Sequence, residues 1–369
     1  MHGAQTRVAG RRNPKFCVKN AGTGRKKNGR AGGFSITILE MFVIMDAMVS
    51  QISFNDYFRA RFRGNIKTDE PMVKHTTMRV GGDAPIFLEP EDEESLVFAV
   101  TYCTQGGIPF FILGGGSNVI AGDKIDFAVI STKTIRGIER VESAAQGLYR
   151  KAMSIGKSEC TLRFGAGLTW GAICAHCKKE KLLGVEKFSG LPGTVGGAVS
   201  MNATCFGFSA CDRLVSVRYL DLDDLKLKEY TKSEIDFGYK RSPFQRGKLV
   251  LSADFTLEKD DSKSDEEMTR IYQEALGERA ARGHFMAASA GSIFKNIPEK
   301  EIIAGKLIDE CGLKGTKIGG AKVADFHGNF IINPNGTASS ADVRSLIELV
   351  REEVRRKTGI ELECEVVFA

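Results

Sequence analysis

The chain has 369 residues, 42% of them hydrophobic and 27% charged, which excludes collagen-like, low-complexity and wholly disordered classes and predicts two or three domains with their own cores. Its net charge of +6 is unevenly placed: Arg7, Arg11, Arg12, Lys15, Lys19, Arg25, Lys26, Lys27 and Arg30 fall in the first 33 residues with no acid among them, and setting these nine aside takes the remainder to −3. The body of the protein is thus mildly acidic, and no nucleic-acid partner is expected.

In chain order, residues 1–51 read as a basic leader, disordered or outside the native protein, with Met45 and Met48 as alternative starts. Phe34 to Val49 is the nearest approach to a membrane span, but Glu40 and Asp46 interrupt it, so no membrane insertion is expected. Basic residues ahead of that run imitate a signal peptide, yet no small-residue cleavage site follows. Ordered structure is expected from about Ile52. Pro85 to Glu89 reads as a strand, Glu91 to Thr104 as a helix stopped by Gly106-Gly107, and Pro109 to Leu113 as a buried strand running into a glycine loop. Leu162 to Phe164 reads as a strand and Thr169 to Glu180 as a helix, followed by a glycine-rich stretch from Ser189 to Ala203. Alternating runs at Leu214 to Leu220 and Leu249 to Leu257 predict further strands. Polar residues from Asp260 to Glu267 mark a domain joint. Beyond it, Val343, Leu346, Ile347, Val350 and Val354 form the apolar stripe of a final helix ended by Gly359, and Ile360 to Phe368 reads as the last strand. Nine cysteines, an odd number in a long chain, predict reduced thiols and a cytoplasmic location.

Two glycine loops carry the strongest chemical signal. Phosphate groups need several backbone N–H groups aimed at one point with no Cβ intervening. Gly114, Gly115, Gly116, Ser117 and Asn118 follow a buried strand, while Gly190, Gly193, Gly196 and Gly197 surround Pro192, which stiffens the loop. Together they predict a nucleotide or dinucleotide cradle. Neither has the Rossmann spacing, and there is no Walker lysine pattern. Cys174-Ala-His-Cys177 lacks a second pair at zinc spacing and reads as buried helix residues beside Trp170. The five histidines have no triad or zinc-protease companions, and no metal site is expected. Three further spots combine reactive groups with a tight backbone. They are Ala290 to Asn296, containing Ser292 and Lys295; Tyr239-Lys240-Arg241-Ser242; and Glu363-Cys364-Glu365, whose carboxylates share a strand face.

Over about residues 60–369 these segments together resemble the UDP-N-acetylenolpyruvoylglucosamine reductases. His75-Thr-Thr-Met-Arg-Val-Gly-Gly82 is similar to the family's opening motif, and the loops Leu113 to Asn118 and Gly190 to Ala203 to its FAD-binding loops. Ser289 to Asn296, Lys306 to Leu313 and Asn329 to Asn333 resemble its substrate domain, and the short connection after Tyr239 its compact type. The resemblance implies an α+β fold: a two-subdomain FAD-binding module of the vanillyl-alcohol-oxidase kind at 52–258, and a C-terminal α/β substrate domain at 259–369. It implies FAD as cofactor, NADPH as reductant, and reduction of UDP-N-acetylglucosamine enolpyruvate to UDP-N-acetylmuramate for peptidoglycan. It places Gly114 to Asn118, Gly190, Pro192, Gly193, Val195, Gly196, Gly197 and Asn202 on the cofactor. Ser292 becomes the proton donor, Glu365 the acidic residue supporting the enolate, and Lys295, Asn296 and Asn329 substrate contacts, with Lys306 a further candidate for the diphosphate.

The family's arginine after Gly-Tyr aligns with Lys240, and Arg241 stands one residue on. Were the segment extended, the two would point to opposite sides. A guanidinium suits a carboxylate better than an ammonium, which favours Arg241. Cys364 stands for the family's usual proline, Thr204 for a glycine, and Ile297 interrupts an Asn-Pro. The alternatives are an oxidase of the same flavin fold acting on another sugar or alcohol, and a weakly active nucleotide-binding regulator. Only the lysine at position 240 supports the regulator.

Overall fold

The computed structural model describes residues 54–141 and 157–369. The expectations for the leader, for Met45 and Met48 as starts and for the boundary near Ile52 lie outside the described residues.

A first sheet holds β1 (Gly64–Pro71), β2 (Asp83–Pro90), β3 (Phe110–Leu113) and β5 (Ala128–Ser131) in the order β1-β2-β5-β3; β1 and β2 are antiparallel, and β5 runs parallel to both β2 and β3. Helices α1 (Asp56–Arg61) and α2 (Glu93–Gly106) accompany it. Helix α2 starts where Asp92 accepts the Ser95 N–H at 2.8 Å and stops at Gly107, whose φ of 62° suits a residue without Cβ. Its buried face of Leu96, Ala99, Val100 and Cys103 packs into a core with Ile86, Leu88 and Ile130. Each of the Leu, Val and Ile side chains contributes about 1.5–3 kcal/mol by leaving water.

The second sheet is antiparallel throughout. It contains β6 (Ile138–Val141), β7 (Lys157–Gly165), β11 (Leu214–Asp221), β12 (Lys226–Thr231) and β13 (Lys248–Asp260) in the order β12-β11-β13-β7-β6, with β8 (Leu182–Leu183) also on β13. Helix α3 (Trp170–Lys179) buries Trp170, Ile173, Cys174 and Cys177 against it. The Ser189–Ala203 stretch does not remain loop. Its second half forms helix α4 (Val195–Met201), because Val195, Ala198 and Val199 find burial in this same core. The strands β9 (Thr204–Cys205) and β10 (Phe208–Ser209) form a small hairpin after it.

The predicted joint holds the capping box of helix α5 (Asp265–Ala281): Ser264 N donates to Glu267 at 2.8 Å and Glu267 N to Ser264 at 3.2 Å. Helix α5 buries Met268 and Tyr272 in the second core. A third sheet follows, of β14 (Ala288–Ser292), β15 (Lys317–Ile318), β16 (Ala321–Val323) and β17 (Phe330–Asn333) in the order β14-β17-β16-β15, with helices α6 (Ala304–Glu310) and α7 (Ser340–Thr358). The predicted stripe of α7 is buried in full, and Gly359 closes the helix at φ 73°. The predicted last strand changes partner along its length: Lys295 N donates to the Glu363 carbonyl at 2.9 Å and Glu365 N to the Ile293 carbonyl at 2.7 Å, and then Val367 N donates to the Asn118 carbonyl at 2.9 Å. Only Val367–Phe368, as β18, runs parallel to β4 (Val119–Ile120), and Cys364 bridges to Phe294. This tail passes from one neighbour to the next and keeps no continuous ladder with either.

Segments distant in sequence tie the third sheet to the first. Asp123 accepts the first two N–H groups of α7, Ser340 and Ala341, both at 2.9 Å. Thr77 Oγ1 donates to the Ser289 carbonyl at 2.7 Å, and Met78 and Val80 enter the third core. No helix among the described residues is long and apolar enough to cross a membrane.

Candidate active site

Between these layers lies a cleft of ≈1860 Å³. Gly114, Gly115, Gly116, Ser117 and Asn118 form one wall and Gly190, Pro192, Gly193, Gly196 and Gly197 another, while Ser292, Lys295, Asn296 and Glu365 line the side built by the third sheet. The two loops touch. A Cβ on Gly115 would lie 2.6 Å from the Gly193 Cα, and Ser117 Oγ donates to the Pro192 carbonyl at 3.3 Å. Thr194 occupies the N-cap position of α4, yet its hydroxyl caps nothing. That Oγ1 is buried without a hydrogen-bond partner, beside the space that a Gly114 Cβ would take.

The cleft is electropositive. Arg79, Lys240, Arg246, Lys248, Arg279, Arg282 and Lys295 line it against only Glu363 and Glu365. Such an excess attracts phosphate- and carboxylate-bearing ligands. Two half-buried histidines, His284 and His327, also reach it; each is pushed toward the neutral form chiefly by burial, His284 to about 4, with Arg279 adding repulsion at His284.

Ser292 is aimed by a bulge. β14 pairs Ser289 with Ile332 and Ser292 with Phe330, so one extra residue is looped out, and Gly291 takes it up at φ 76°. Lys240 is aimed by a turn. Gly238 and Arg241 exchange N–H···O bonds at 3.0 and 3.1 Å, and Lys240 at its tip has φ 53°. From there Lys240 Nζ reaches Glu365 Oε1 at 2.7 Å, both side chains nearly enclosed. Glu363 is exposed and pairs with Lys295 at 2.5 Å.

Four expected site residues are turned elsewhere, and a further candidate lies outside the cleft. Arg241 does not face the cleft. The turn replaces the extended segment, and its guanidinium holds Asp236 at 2.7 and 3.1 Å on the exposed side. Val195 is fully buried in the second core, its N–H spent on the Leu168 carbonyl at 3.0 Å. Asn202 is buried as the left-handed C-cap of α4, its amide donating to the Gly238 carbonyl at 2.9 Å. Asn329 spends both side-chain polar atoms on the backbone of Phe294 at 2.8 Å. Lys306 is exposed and pairs with Glu310. These residues resemble site residues in sequence, yet the fold consumes their polar groups.

Other cleft residues escaped the sequence reading. Thr76, Thr77 and Arg79 belong to the opening motif at 75–82, which could have nominated them. Thr194 lies within the second glycine segment. Arg279 and Arg282 carry no local signal, since charged residues decorate any surface helix. Arg279 is buried all the same, its Nε donating to the Ser189 carbonyl at 3.0 Å. Cys174 and Cys177 are both free thiols; burial pushes Cys174 up to about 11 and Cys177 further. No cluster of metal-ligating residues occurs among the described residues.

Two touching glycine loops, an electropositive cleft and a separate sheet facing both describe a cofactor-dependent enzyme of the FAD-binding class, and an FAD-binding domain model matches residues 84–227. A model of the UDP-N-acetylenolpyruvoylglucosamine reductase C-terminal domain matches residues 283–369. A reductase of that name from Treponema denticola is 38% identical over 319 residues, covering 83% of this chain and 94% of that protein. Another, from Borreliella burgdorferi, is 38% identical over 308 residues, covering 82% and 95%. The crystal structure of a UDP-N-acetylenolpyruvylglucosamine reductase from Thermus caldophilus superposes with a TM-score of 0.63 at 30% identity, covering 83% of this chain and 99% of that one. The chain belongs to the UDP-N-acetylenolpyruvoylglucosamine reductase family.

The cleft fits FAD on its own evidence. The Thr194 hydroxyl lacks a partner, and cations outnumber acids in the lining.

Proposed function

We propose that this protein is an FAD-dependent reductase that uses NADPH to convert UDP-N-acetylglucosamine enolpyruvate to UDP-N-acetylmuramate, a peptidoglycan precursor, and that it works in the cytoplasm. The observation that carries the reading is one cleft lined by both glycine loops and by Ser292, Lys240 and Glu365. The match of the C-terminal domain model favours this reductase over an oxidase of the same flavin fold. In this reading residues 52–258 form the FAD-binding module and 259–369 the substrate domain, with α5 packed on the FAD-binding side.

The glycine loops and Thr194 hold FAD, which when bound supplies hydride from NADPH to the vinyl carbon of the substrate. What remains falls to the chain's own side chains. Negative charge grows on the carbon beside the vinyl CH2 and spreads into the substrate carboxylate. Lys240 faces that charge, and a pre-placed cation in a confined cleft is worth a few kcal/mol, roughly 2–4, to such a transition state. Glu365 holds the ammonium until the carboxylate of the substrate arrives to share it. The Ser292 hydroxyl, aimed by the Gly291 bulge, gives its proton to the carbon. Lys295 and Asn296 take the diphosphate side of the ligand.

Stopped-flow spectroscopy separates the half-reactions. Lys240→Ala is expected to leave flavin reduction by NADPH within ~3-fold of the parent and to slow reoxidation by the enolpyruvyl sugar at least ~100-fold. Arg241→Ala should leave both steps near the parent. Purified protein without bound flavin and without affinity for it would reject the reading. Loss of reoxidation with Arg241→Ala alone would reassign the cation.

A further inference from the structure

The first glycine loop ends on Asn118 and helix α4, after the second, ends on Asn202; each side-chain amide donates to backbone that carries one partner of the Lys240–Glu365 pair. We infer that Asn202 and Asn118 are positioning residues that set the geometry of this pair from the two cofactor loops. The inference rests on the functional reading above.

On the lysine side, Asn202 closes α4 at φ 41° and is only 5% exposed. Its Nδ2 donates to the Gly238 carbonyl at 2.9 Å, and its Oδ1 accepts the Cys211 N–H at 3.3 Å. The Gly238 carbonyl is also the acceptor that closes the Lys240 turn, taking the Arg241 N–H at 3.1 Å. One residue on, Ser242 Oγ donates to the Ser200 carbonyl at 2.7 Å, a second tie between this turn and α4. On the glutamate side, Asn118 Nδ2 donates to the Glu365 carbonyl at 3.0 Å, and the Asn118 carbonyl accepts the Val367 N–H at 2.9 Å. The Glu365 N–H donates to Ile293 at 2.7 Å, beside Ser292.

The need for such ties follows from the chemistry of the cation. A lysine ammonium sits on a flexible four-carbon stem and brings no planar fork to fix its direction. Its precision must come from the backbone beneath it. Here that backbone is a left-handed residue, an uncommon conformation that the surroundings have to hold. Both ties need an amide N–H: a carboxylate at either place would set an acceptor against a carbonyl. Asn202 must also tolerate positive φ, which asparagine does better than most residues.

The test uses the FAD-loaded full chain. Asn202→Gly keeps the left-handed backbone and removes only the amide. It is expected to leave FAD affinity and flavin reduction by NADPH within ~3-fold of the parent and to slow reoxidation by the enolpyruvyl sugar at least ~30-fold. In a Lys240→Ala background the same change should cost less than ~2-fold, because the asparagine acts through that lysine. Amide exchange of Arg241 should rise at least ~10-fold, a readout independent of turnover. Asn202→Asp, which keeps the turn tolerance but not the donor, should behave like the glycine variant. Because Asn118 also lines the cofactor wall, Asn118→Ala is read only through reoxidation at saturating FAD, where a slowing of at least ~30-fold is expected whether or not the Asn202 variants fold. Equal loss of FAD affinity and both half-reactions would make these asparagines cofactor ligands and overturn the inference, as would an undiminished effect in the Lys240→Ala background. A parent protein that binds no FAD overturns the functional reading first, and this inference with it.

Discussion

Gly115→Ala tests whether the contact between the glycine loops is what shapes the cofactor site. The new Cβ would lie 2.6 Å from the Gly193 Cα, 3.2 Å from its carbonyl carbon and 3.4 Å from its nitrogen. Carbon atoms rest at about 3.5–4.0 Å, so the loops must part by about 1 Å. All three atoms are backbone, and no rotamer change relieves the overlap. Overpacking of this kind costs about 1–3 kcal/mol. Borne by the bound state, that is about 5- to 150-fold in the Kd for FAD. Gly171→Ala is the control. It lies in the first turn of α3 with no atom within 4 Å of its built Cβ, and alanine there should stabilise by about 0.5–1 kcal/mol. Titration of apoprotein with FAD, followed by flavin fluorescence, reads the affinity, and thermal melts of the apo forms read the fold. An alanine at 115 that binds FAD within twofold of the parent and melts at the parent temperature would refute the reasoning.

Thr194→Val removes a buried hydroxyl that has no protein partner. The apo form should melt no lower than the parent, since an unpaired buried hydroxyl costs about 1–3 kcal/mol, while FAD binding weakens about 5-fold; a lower apo melt with unchanged affinity would show that the hydroxyl serves the fold. His284 stacks on Phe330 at 5.0 Å and, chiefly through burial and then through Arg279, titrates near about 4 in the folded state. The unfolded chain takes up that proton near its usual value of about 6.5, so stability is complete above that pH and falls as pH drops toward 4. Partial exposure limits the effect to about 1–2 kcal/mol. Urea midpoints of His284→Phe should therefore change less between pH 7 and pH 4.5 than those of the parent, and equal slopes would disprove it.

Much of the fold was legible because its signals are local. Apolar residues at helical spacing with Gly107 after them mark helix α2, and a stripe closed by Gly359 marks α7, while the start of α2 at Asp92 came from the structure. The glycine loops were legible for the same reason, since close backbone approach leaves glycine in the sequence wherever it occurs. The tail at 360–368 was not legible as it stands: an alternating pattern reports a strand but not that its partner changes from residues 293–295 to residues 118–120 along the way. The helix hidden in the second glycine segment was missed because glycine argues against helix, and only burial of Val195, Ala198 and Val199 overrides that preference.

The sequence by itself determined the family, the glycine loops and the segments that carry reactive groups, because these depend on residue type at short spacing. Tertiary structure alone decided which groups meet. Lys240 rather than Arg241 enters the cleft because a turn closed by Gly238 and Arg241 replaces an extended segment, and Asn202, 36 residues before Gly238, bonds to that turn. Val195, Asn202 and Asn329 look like ligands in sequence, but the structure buries them and gives their polar groups protein partners brought from elsewhere. Arg279 and Thr194 look ordinary and line the cleft. The physical reason is the same in each case: a side chain's direction is set by long-range packing and hydrogen bonds, which no short stretch of sequence contains.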